Sequence, residues 1–360
     1  MTVEPTENNK MKFIRNFPRF TALLIGCIVS IFIMLFLEGL CYVLNIGEVS
    51  KKRSIIKNVT HGYYQDDYIL GYKPGANIEA LASMTNQGET IYEVTYSIDA
   101  YCRRITPVEN RTDRNRYAIF FGGSYTFGEG VENNQTLPAY FSNVSSSYMP
   151  YNYGFHGYGP HHMLAKLIAV NLETEIQEKT GILIYLYLPD HINRVIGSMH
   201  VYNTWGKSCP YYTIDAQNNL IRKESFFYGR PYISMFYDLL GRSNFIKYFK
   251  INFPLRLSDR HYRLTTKVIE ESRKEFQKQF ENDHFYVVLY PSEVKTRENA
   301  RRIIPYFEKA NIKYLDYTDL FDPGSEEFTI KSDGHPTPKA YEILAKKLSQ
   351  DVSSLQRNEQ

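Results

Sequence analysis

The fold is decided by residues 117–130, which read YAIFFGGSYTFGEG. The apolar aromatic run from Tyr117 to Phe121 predicts a buried strand, and the glycines after it predict a tight turn that leads into a helix. Ser124 therefore stands where a strand ends, on a turn whose backbone N–H groups are free to point at a developing oxyanion. This placement is typical of a nucleophilic serine.

A second segment, residues 332–336, reads SDGHP. A serine hydroxyl is a weak nucleophile unless a base takes its proton and a further group orients that base. Asp333 and His335 are close enough in the sequence for the carboxylate to reach the ring nitrogen that faces away from the serine. We expect Ser124, His335 and Asp333 to form a catalytic triad. The competing interpretation is an ordinary Gly/Ser turn and an Asp that caps a terminal helix beside a surface histidine.

From about residue 115 the chain alternates between strand and helix patterns. Such alternation predicts a parallel sheet with helices on both faces, which is a three-layer α/β/α domain. Side chains that follow the strands then meet at the carboxyl edge of the sheet, where open α/β sheets place their sites. We predict strands at 117–122, 150–154, 182–188, 284–290 and 313–317, and helices at 135–147, 161–178, 264–281, 296–310 and 338–350.

Both segments resemble the blocks of the SGNH or GDSL hydrolase superfamily. Its first block is a Gly-Asp-Ser turn, and its last is an Asp and His pair near the C-terminus. The wordings FFGGSYTFGEGVENNQTLPAYF, YNYGFHGYGPHHML and YLPDHINR look like a bacterial branch that carries one N-terminal membrane helix. The resemblance covers residues 65–350, with a divergent stretch at 200–262. It implies a flavodoxin-like sheet and chemistry on ester bonds.

The resemblance also implies roles for individual residues. Ser124 is the nucleophile, His335 the general base and then acid, and Asp333 its orienting partner. Gly157 matches the glycine of the second block, whose backbone N–H donates to the oxyanion. Gly123 departs from the family, because an Asp normally stands there.

The third block departs as well, because no Asn follows the apolar run 182–188. An ionised Asp190 would repel an oxyanion, so either a protonated Asp190 or a donor on His191 has to replace the Asn side chain. We favour His191. The competing interpretation is a local ion pair between Asp190 and Arg194. A different fold, the α/β-hydrolase, is disfavoured because Thr126 stands where the last glycine of its G-x-S-x-G elbow belongs.

Composition excludes some classes of function. Of the 360 residues 43% are hydrophobic, which is ample for a folded core, and 42 Lys plus Arg nearly balance 39 Asp plus Glu. No long basic run or nucleic-acid motif is present, so we expect no nucleic-acid partner. His156, His161 and His162 cluster, but their spacing fits no metal-ligand pattern, and we expect neither a metal nor a cofactor.

Residues 20–45 predict one uncleaved transmembrane helix, because the uncharged run from Phe20 to Leu37 continues past Glu38 to Leu44. Basic residues flank this helix on both sides, so charge does not fix its orientation. The resemblance places the catalytic domain in the periplasm or outside the cell. There Cys102 and Cys209 would either form one disulfide or remain two separate thiols.

These patterns divide the chain and lead to one main hypothesis of function. We predict an ester hydrolase that forms an acyl-enzyme on Ser124 and acts on an acylated cell-envelope glycan or lipid. The alternatives are an O-acyltransferase to a polysaccharide with the same triad, and a catalytically weak glycan-binding or assembly protein. The predicted parts are an N-terminal tail (1–19), the transmembrane helix (20–45), a stalk (46–64), a β-rich segment (65–114), an SGNH-like catalytic domain (115–352) with an insertion (200–262), and a C-terminal tail (353–360).

Overall fold

A computed structural model describes residues 7–52 and 55–358. The chain divides into two compact units. The helical unit contains Met1–Arg53 and Leu239–Ile251, and the α/β unit contains Ser54–Asp238 and Asn252–Gln360. The chain therefore returns to the helical unit once, in the middle of the predicted insertion.

The helical unit is dominated by one long helix, α1 (Glu7–Lys52). Within it, Ala22–Asn45 is the one stretch of the described residues that is long and apolar enough to cross a membrane. Its side chains are largely exposed, for example Phe32 at 69%. The structure thus contains the apolar helix that the sequence predicts at 20–45. A short helix, α9 (Asn244–Tyr248), belongs to the same unit.

The α/β unit is built on a five-stranded parallel sheet. Numbered along the chain within this sheet, its strands lie in the order 2-1-3-4-5, the doubly wound, flavodoxin-like order. Because the central strands are covered on both faces, they are almost continuously apolar. The strands are β6 (Arg116–Phe121), β7 (Tyr148–Asn152), β8 (Thr180–Tyr187), β11 (Phe285–Leu289) and β12 (Tyr314–Asp316), and their spatial order is β12-β11-β8-β6-β7.

Helices cover both faces of this sheet. Alternate residues of β6 point to opposite sides, so Tyr117 and Ile119 join one apolar cluster while Ala118 and Phe120 join another. The prediction of a three-layer α/β/α domain is confirmed. The first cluster includes residues of α4 (Pro160–Ala169), α10 (Asp259–Phe280) and α12 (Ile304–Lys309), and the second includes residues of α3 (Leu137–Val144) and α13 (Pro338–Asn358).

A layer of antiparallel strands precedes the parallel sheet in the chain. Its interior side chains, among them Tyr63 and Tyr96, pack against Phe127 and Phe155, which flank the predicted site. The layer begins earlier than the β-rich segment predicted at 65–114, because the predicted stalk at 46–64 holds the end of α1, the whole of β1 and the first residue of β2. The strands are β1 (Ile55–Val59), β2 (Tyr64–Asp67), β3 (Gly71–Pro74), β4 (Ile78–Asn86) and β5 (Glu89–Ile98), paired as β1-β4-β5 and β2-β3.

Two further differences concern the predicted insertion and the C-terminal tail. The stretch 200–262 is not one body, because Leu239–Ile251 belongs to the helical unit. The predicted tail at 353–360 is helical as far as Asn358, where α13 ends.

Cys102 and Cys209 are both free thiols. The remaining elements are α2 (Ser124–Phe127), α5 (His191–Ile196), α6 (Met199–Val201), β9 (Pro210–Ile214), β10 (Leu220–Ser225), α7 (Phe226–Gly229), α8 (Pro231–Leu240) and α11 (Arg297–Arg301).

A buried arginine connects the antiparallel layer to the loop after α2. Arg104 is 2% exposed, and its guanidinium donates to the carbonyl oxygens of Phe127 (2.9 Å), Gly128 (2.5 Å) and Val131 (2.6 Å). It also lies over the ring of Tyr96, with 4.5 Å from Cζ to the ring centroid. One cation thus satisfies three backbone acceptors of a buried loop, and this fixes the loop's path.

We expect Arg104→Met to lower the free energy of unfolding by about 3 kcal/mol, because it removes a buried cation that donates to three carbonyl groups and leaves the Val131 carbonyl without a donor. Chemical denaturation of the full chain in detergent micelles measures the change. Arg263→Met is the matched control, because Arg263 forms an exposed ion pair with Asp259 and surface pairs contribute about 0–1 kcal/mol. Equal losses in the two variants would contradict the role assigned to Arg104.

Candidate active site

Ser124 lies at the carboxyl end of β6, where the order of the sheet strands reverses between β6 and β8. The chain turns through Gly122 and Gly123 and then forms α2. Gly122 has φ +156°, and an added Cβ would lie 2.1 Å from the hydroxyl oxygen of Thr126. A larger residue is therefore excluded from the turn. Ser124 is only 7% exposed, so this residue is largely buried.

His335 joins the serine to a carboxylate, as the sequence predicts. Its Nε2 lies 2.8 Å from Ser124 Oγ, and its Nδ1 lies 2.6 Å from Asp333 Oδ2. An ionised Asp333 can only accept, so Nδ1 carries the proton and Nε2 is left to accept the proton of the serine hydroxyl. The structure thus brings the three residues into one hydrogen-bonded chain, with the Asp333 side chain fully buried.

The charge of Asp333 is maintained by its neighbours. Burial raises the pKa of this carboxyl, but the hydrogen bond and charge of His335 and the hydrogen bond from Lys57 outweigh that effect. The pKa of Asp333 therefore lies below its ordinary value. A carboxylate that stays ionised near neutral pH is what an imidazolium needs for stabilisation.

Lys57 is a site residue that the sequence analysis missed. It lies on β1, and its ammonium is 2.8 Å from Glu129 Oε1 and forms a very short ion pair with Asp333 Oδ1. One cation therefore lies between two carboxylates beside His335. No local signal could identify Lys57, because only the pairing of β1 with β4 brings it to this place.

Glu129 is the second residue that the sequence analysis missed. Its Oε2 lies 2.7 Å from His156 Nδ1 and 3.3 Å from His335 Nε2. The hydroxyl of Tyr63 lies 2.8 Å from His156 Nε2 and extends this chain into the antiparallel layer. Burial raises the pKa of Glu129, but the charge of His156 and its hydrogen bond, followed by the charges of His335 and Lys57, lower it well below its ordinary value. The position of Glu129 between two glycines just after the serine is the one sequence signal for it.

The structure separates the three predicted oxyanion residues into different environments. Gly157 has φ +73°, and its carbonyl accepts from Trp205 Nε1 at 3.3 Å. It directly follows His156, whose Nδ1 is hydrogen-bonded to Glu129. Asp190 is half exposed and accepts from Arg194 Nε at 3.0 Å. The ion-pair interpretation of Asp190 is thus the observed one, and Asp190 is not placed as a donor.

His191 is fully buried and faces the turn that carries the serine. Its Nδ1 lies 2.7 Å from the hydroxyl of Tyr185 and accepts from the N–H of Leu188 at 3.4 Å. A backbone N–H can only donate, so the ring proton is on Nε2. This Nε2 has no partner among the described residues, and it lies 3.5 Å from the Cβ position of Gly123. Burial, followed by the charge of Arg194, lowers the pKa of His191 well below its ordinary value, so the ring is a neutral donor.

Arg194 gives a physical reason for glycine at position 123. Its Nη1 donates to the carbonyl of Tyr158 at 2.7 Å and lies 2.5 Å from the place where a Cβ on Gly123 would stand. The carbonyl of Tyr158 is itself 3.0 Å from the same place. A side chain at 123 would therefore collide with the groups that fill this space.

Within the described residues, two groups of side chains could be considered as metal ligands. Glu129, Asp333 and His335 lie close together, but the ammonium of Lys57 already occupies the space between the two carboxylates. In the other group, with His161 and Cys209, His162 Nδ1 accepts from the N–H of Gly159 at 3.2 Å. This contact leaves the proton on Nε2 and removes the lone pair that a metal would need. Neither group fits a metal ion.

No family model matches this chain, and no curated protein matches it. Several solved structures do resemble it. A member of the lipolytic protein G-D-S-L family from Veillonella parvula is 13% identical over 64% of this chain and 95% of that chain, with a TM-score of 0.36. An acetyl xylan esterase from the rumen bacterium Butyrivibrio proteoclasticus is 13% identical over 78% of this chain and 72% of that chain, with a TM-score of 0.40. A family two carbohydrate esterase from Clostridium thermocellum, solved with cellohexaose, is 8% identical over 83% of this chain and 88% of that chain, with a TM-score of 0.41.

We expect Lys57→Met to move the acidic limb of serine reactivity to higher pH. Lys57 depresses the pKa of both Asp333 and Glu129, so its removal makes these carboxylates take up protons at a higher pH. The measurement is the rate constant for labelling of the chain by a fluorophosphonate between pH 4 and 9, where reaction requires an activated serine.

Lys57→Arg is the control for this prediction, because it keeps the cation and should keep the acidic limb close to that of the unchanged chain. A Lys57→Met variant that folds but has an unshifted acidic limb would show that the ammonium does not act on the catalytic charges.

Proposed function

We propose that this chain is an ester hydrolase of the SGNH kind that forms an acyl-enzyme on Ser124. One observation carries the proposal: Ser124 Oγ, His335 and Asp333 form a continuous hydrogen-bonded chain, with steps of 2.8 Å and 2.6 Å, at the carboxyl edge of the parallel sheet. A serine, a histidine and a carboxylate with these relations are the parts needed for nucleophilic attack on an ester.

In the proposed reaction Ser124 Oγ attacks the acyl carbonyl while His335 Nε2 takes the hydroxyl proton. The imidazolium is stabilised by Asp333, which remains a carboxylate. The oxyanion is stabilised by the backbone N–H groups of Ser124 and Gly157 and by the Nε2–H of His191. His335 then returns the proton to the leaving alcohol, and an acyl group remains on Ser124.

In the second half of the reaction His335 removes a proton from water, and hydroxide attacks the acyl-enzyme. The tetrahedral intermediate collapses, the carboxylic acid leaves, and Ser124 Oγ recovers the proton from His335. If a glycan hydroxyl takes the place of water, the same residues perform O-acyl transfer. The ionised Glu129, 3.3 Å from His335 Nε2, stabilises the protonated base in both halves.

The catalytically weak alternative is disfavoured by the same geometry. A binding or assembly protein that only keeps the shape of the domain has no need for a buried carboxylate aligned on a histidine that is itself bonded to a serine. Three buried or half-buried charges surround that histidine here, and desolvating them costs free energy. Such a cost is more readily explained by catalysis than by binding.

We further propose that α1 crosses a membrane once and that the α/β unit lies in the periplasm or outside the cell. The length and apolar character of Ala22–Asn45 support the span, and an acylated glycan or lipid of the cell envelope is the substrate class within reach of such an anchor. We propose no nucleic-acid partner, because basic and acidic residues nearly balance, at 42 and 39.

We expect a fluorophosphonate to add once to the detergent-solubilised full chain, and Ser124→Ala to abolish the adduct, because only a base-activated serine reacts at neutral pH. Intact-mass spectrometry measures the adduct. Ser353→Ala, which changes an exposed serine on α13, is the control and should label like the unchanged chain. If folded protein carries no adduct, the acyl-enzyme mechanism is wrong.

We expect His191→Ala to lower kcat for hydrolysis of a short activated ester by about 10²- to 10³-fold, the cost of losing one oxyanion donor. His191→Gln, which keeps an N–H donor, should recover part of that loss. Asp190→Asn should have a small effect, because the Asp190 carboxylate only accepts from Arg194 and Asn193. Similar losses in His191→Ala and Asp190→Asn would argue against a specific donor role for His191.

A further inference from the structure

The segment Leu239–Ile251 belongs to the helical unit and contacts α1 directly. Glu38 of α1 accepts a hydrogen bond from the N–H of Asn244 at 2.7 Å, a second from the N–H of Phe245 at 3.4 Å, and a very short one from the hydroxyl of Ser243. Asn45 Nδ2 donates to the carbonyl of Asn244 at 3.1 Å. The first turn of α9 is therefore tied to α1 at two points.

Both points lie inside the apolar span of α1, which runs from Ala22 to Asn45 over 24 residues. At about 1.5 Å per residue this span is roughly 36 Å long, against about 30 Å for the hydrocarbon core of a bilayer. Glu38 precedes Asn45 by about two helical turns, or roughly 10 Å. A centred span thus puts the carboxylate of Glu38 roughly 7 Å below the hydrocarbon boundary.

A carboxylate and backbone N–H groups at that depth both need partners, because lipid offers no hydrogen bonds. The first turn of α9 supplies the donors that the carboxylate needs, and Glu38 is the acceptor that these N–H groups need. The contact also requires residues 243–245 to be at the depth of Glu38. We propose that the segment Leu239–Ile251 is embedded in the outer leaflet of the bilayer that α1 crosses. It lies at the boundary between headgroups and acyl chains, with its apolar side chains among the acyl chains.

The composition of the segment fits a lipid surface. It reads LLGRSNFIKYFKI and contains three cations, Arg242, Lys247 and Lys250, and no acidic residue. Leu239 is 66% exposed and Phe249 is 56% exposed. Apolar rings and aliphatic chains next to exposed cations are typical of interfacial segments, which lie about 5–10 Å into the boundary while their cations contact lipid phosphates.

This inference rests on the proposed role of α1 as a membrane anchor, so its test measures both. The full chain carrying Trp205→Phe is reconstituted in vesicles of phosphatidylcholine and phosphatidylglycerol, with and without lipids brominated in the middle of their acyl chains. Single tryptophan reporters are introduced by Phe249→Trp, by Phe32→Trp in the middle of α1, and by Tyr68→Trp in the α/β unit, where Tyr68 is 94% exposed.

We expect the brominated lipids to quench the Phe249→Trp reporter at least half as strongly as the Phe32→Trp reporter, and to leave the Tyr68→Trp reporter unquenched. If Phe32→Trp is quenched and Phe249→Trp behaves like Tyr68→Trp, the embedded segment is wrong and the anchor stands. If Phe32→Trp is not quenched, both the proposed membrane anchor and the proposed embedded segment are wrong. Fluorophosphonate labelling of Ser124 in vesicles that hold the unchanged chain, which keeps the hydrogen bond from Trp205 to Gly157, reports on the proposed enzyme independently.

The contact with Glu38 gives a second test in the same vesicles. Glu38→Leu removes the acceptor of three hydrogen bonds but keeps α1 apolar, so we expect at least a twofold loss of quenching of the Phe249→Trp reporter and none for Phe32→Trp. Quenching of Phe249→Trp that persists unchanged in Glu38→Leu would overturn the proposed tie. Quenching that falls as the protein-to-lipid ratio rises would indicate that a second copy of the chain covers the segment, and would overturn lipid as its occupant.

Discussion

The ammonium of Lys57 between Asp333 and Glu129 is the interaction on which the candidate site depends. Two carboxylates beside one imidazole repel each other, and burial penalises both. A single cation, 2.8 Å from Glu129 and in contact with Asp333, offsets these costs. Because Lys57 lies on β1, the antiparallel layer is a part of the site and does not merely cover the parallel sheet. Removing that layer would remove the cation that lies between these two carboxylates beside His335.

The antiparallel layer also supports the turn that carries Ser124. The guanidinium of Arg104 satisfies three carbonyls of the loop that follows α2, and Phe127 packs among the rings of the layer. Glu129 lies in this loop, so its distance to His335 is set by contacts made on the far side of the loop. Rigid contacts of this kind hold reacting groups at fixed distances from one another, because small displacements lower the reaction rate.

Glu38 shows the same physical rule at the other end of the chain. A carboxylate inside an apolar helix is stable only if donors reach it, and here the donors come from a segment about two hundred residues later. In each of the three cases a charge in a poorly solvated place is matched by a partner distant in sequence. Those pairs, more than the apolar core, determine which parts of the chain must be together.

The sequence by itself determined the α/β/α class, the strands of the parallel sheet, the apolar helix and the candidate triad, because each depends on local patterns. Period-two and period-3.6 apolar repeats, a glycine turn after a strand, and an Asp two positions before a His are all readable from neighbouring residues. Only the tertiary structure decided the rest. Lys57 and Glu129 meet Asp333 and His335 through strand pairing and loop packing, and the role proposed for His191 rests on its burial facing Gly123. The strand β1 inside the predicted stalk and the return of Leu239–Ile251 to α1 were missed for the same reason: long-range contacts leave no periodic trace in the sequence around them.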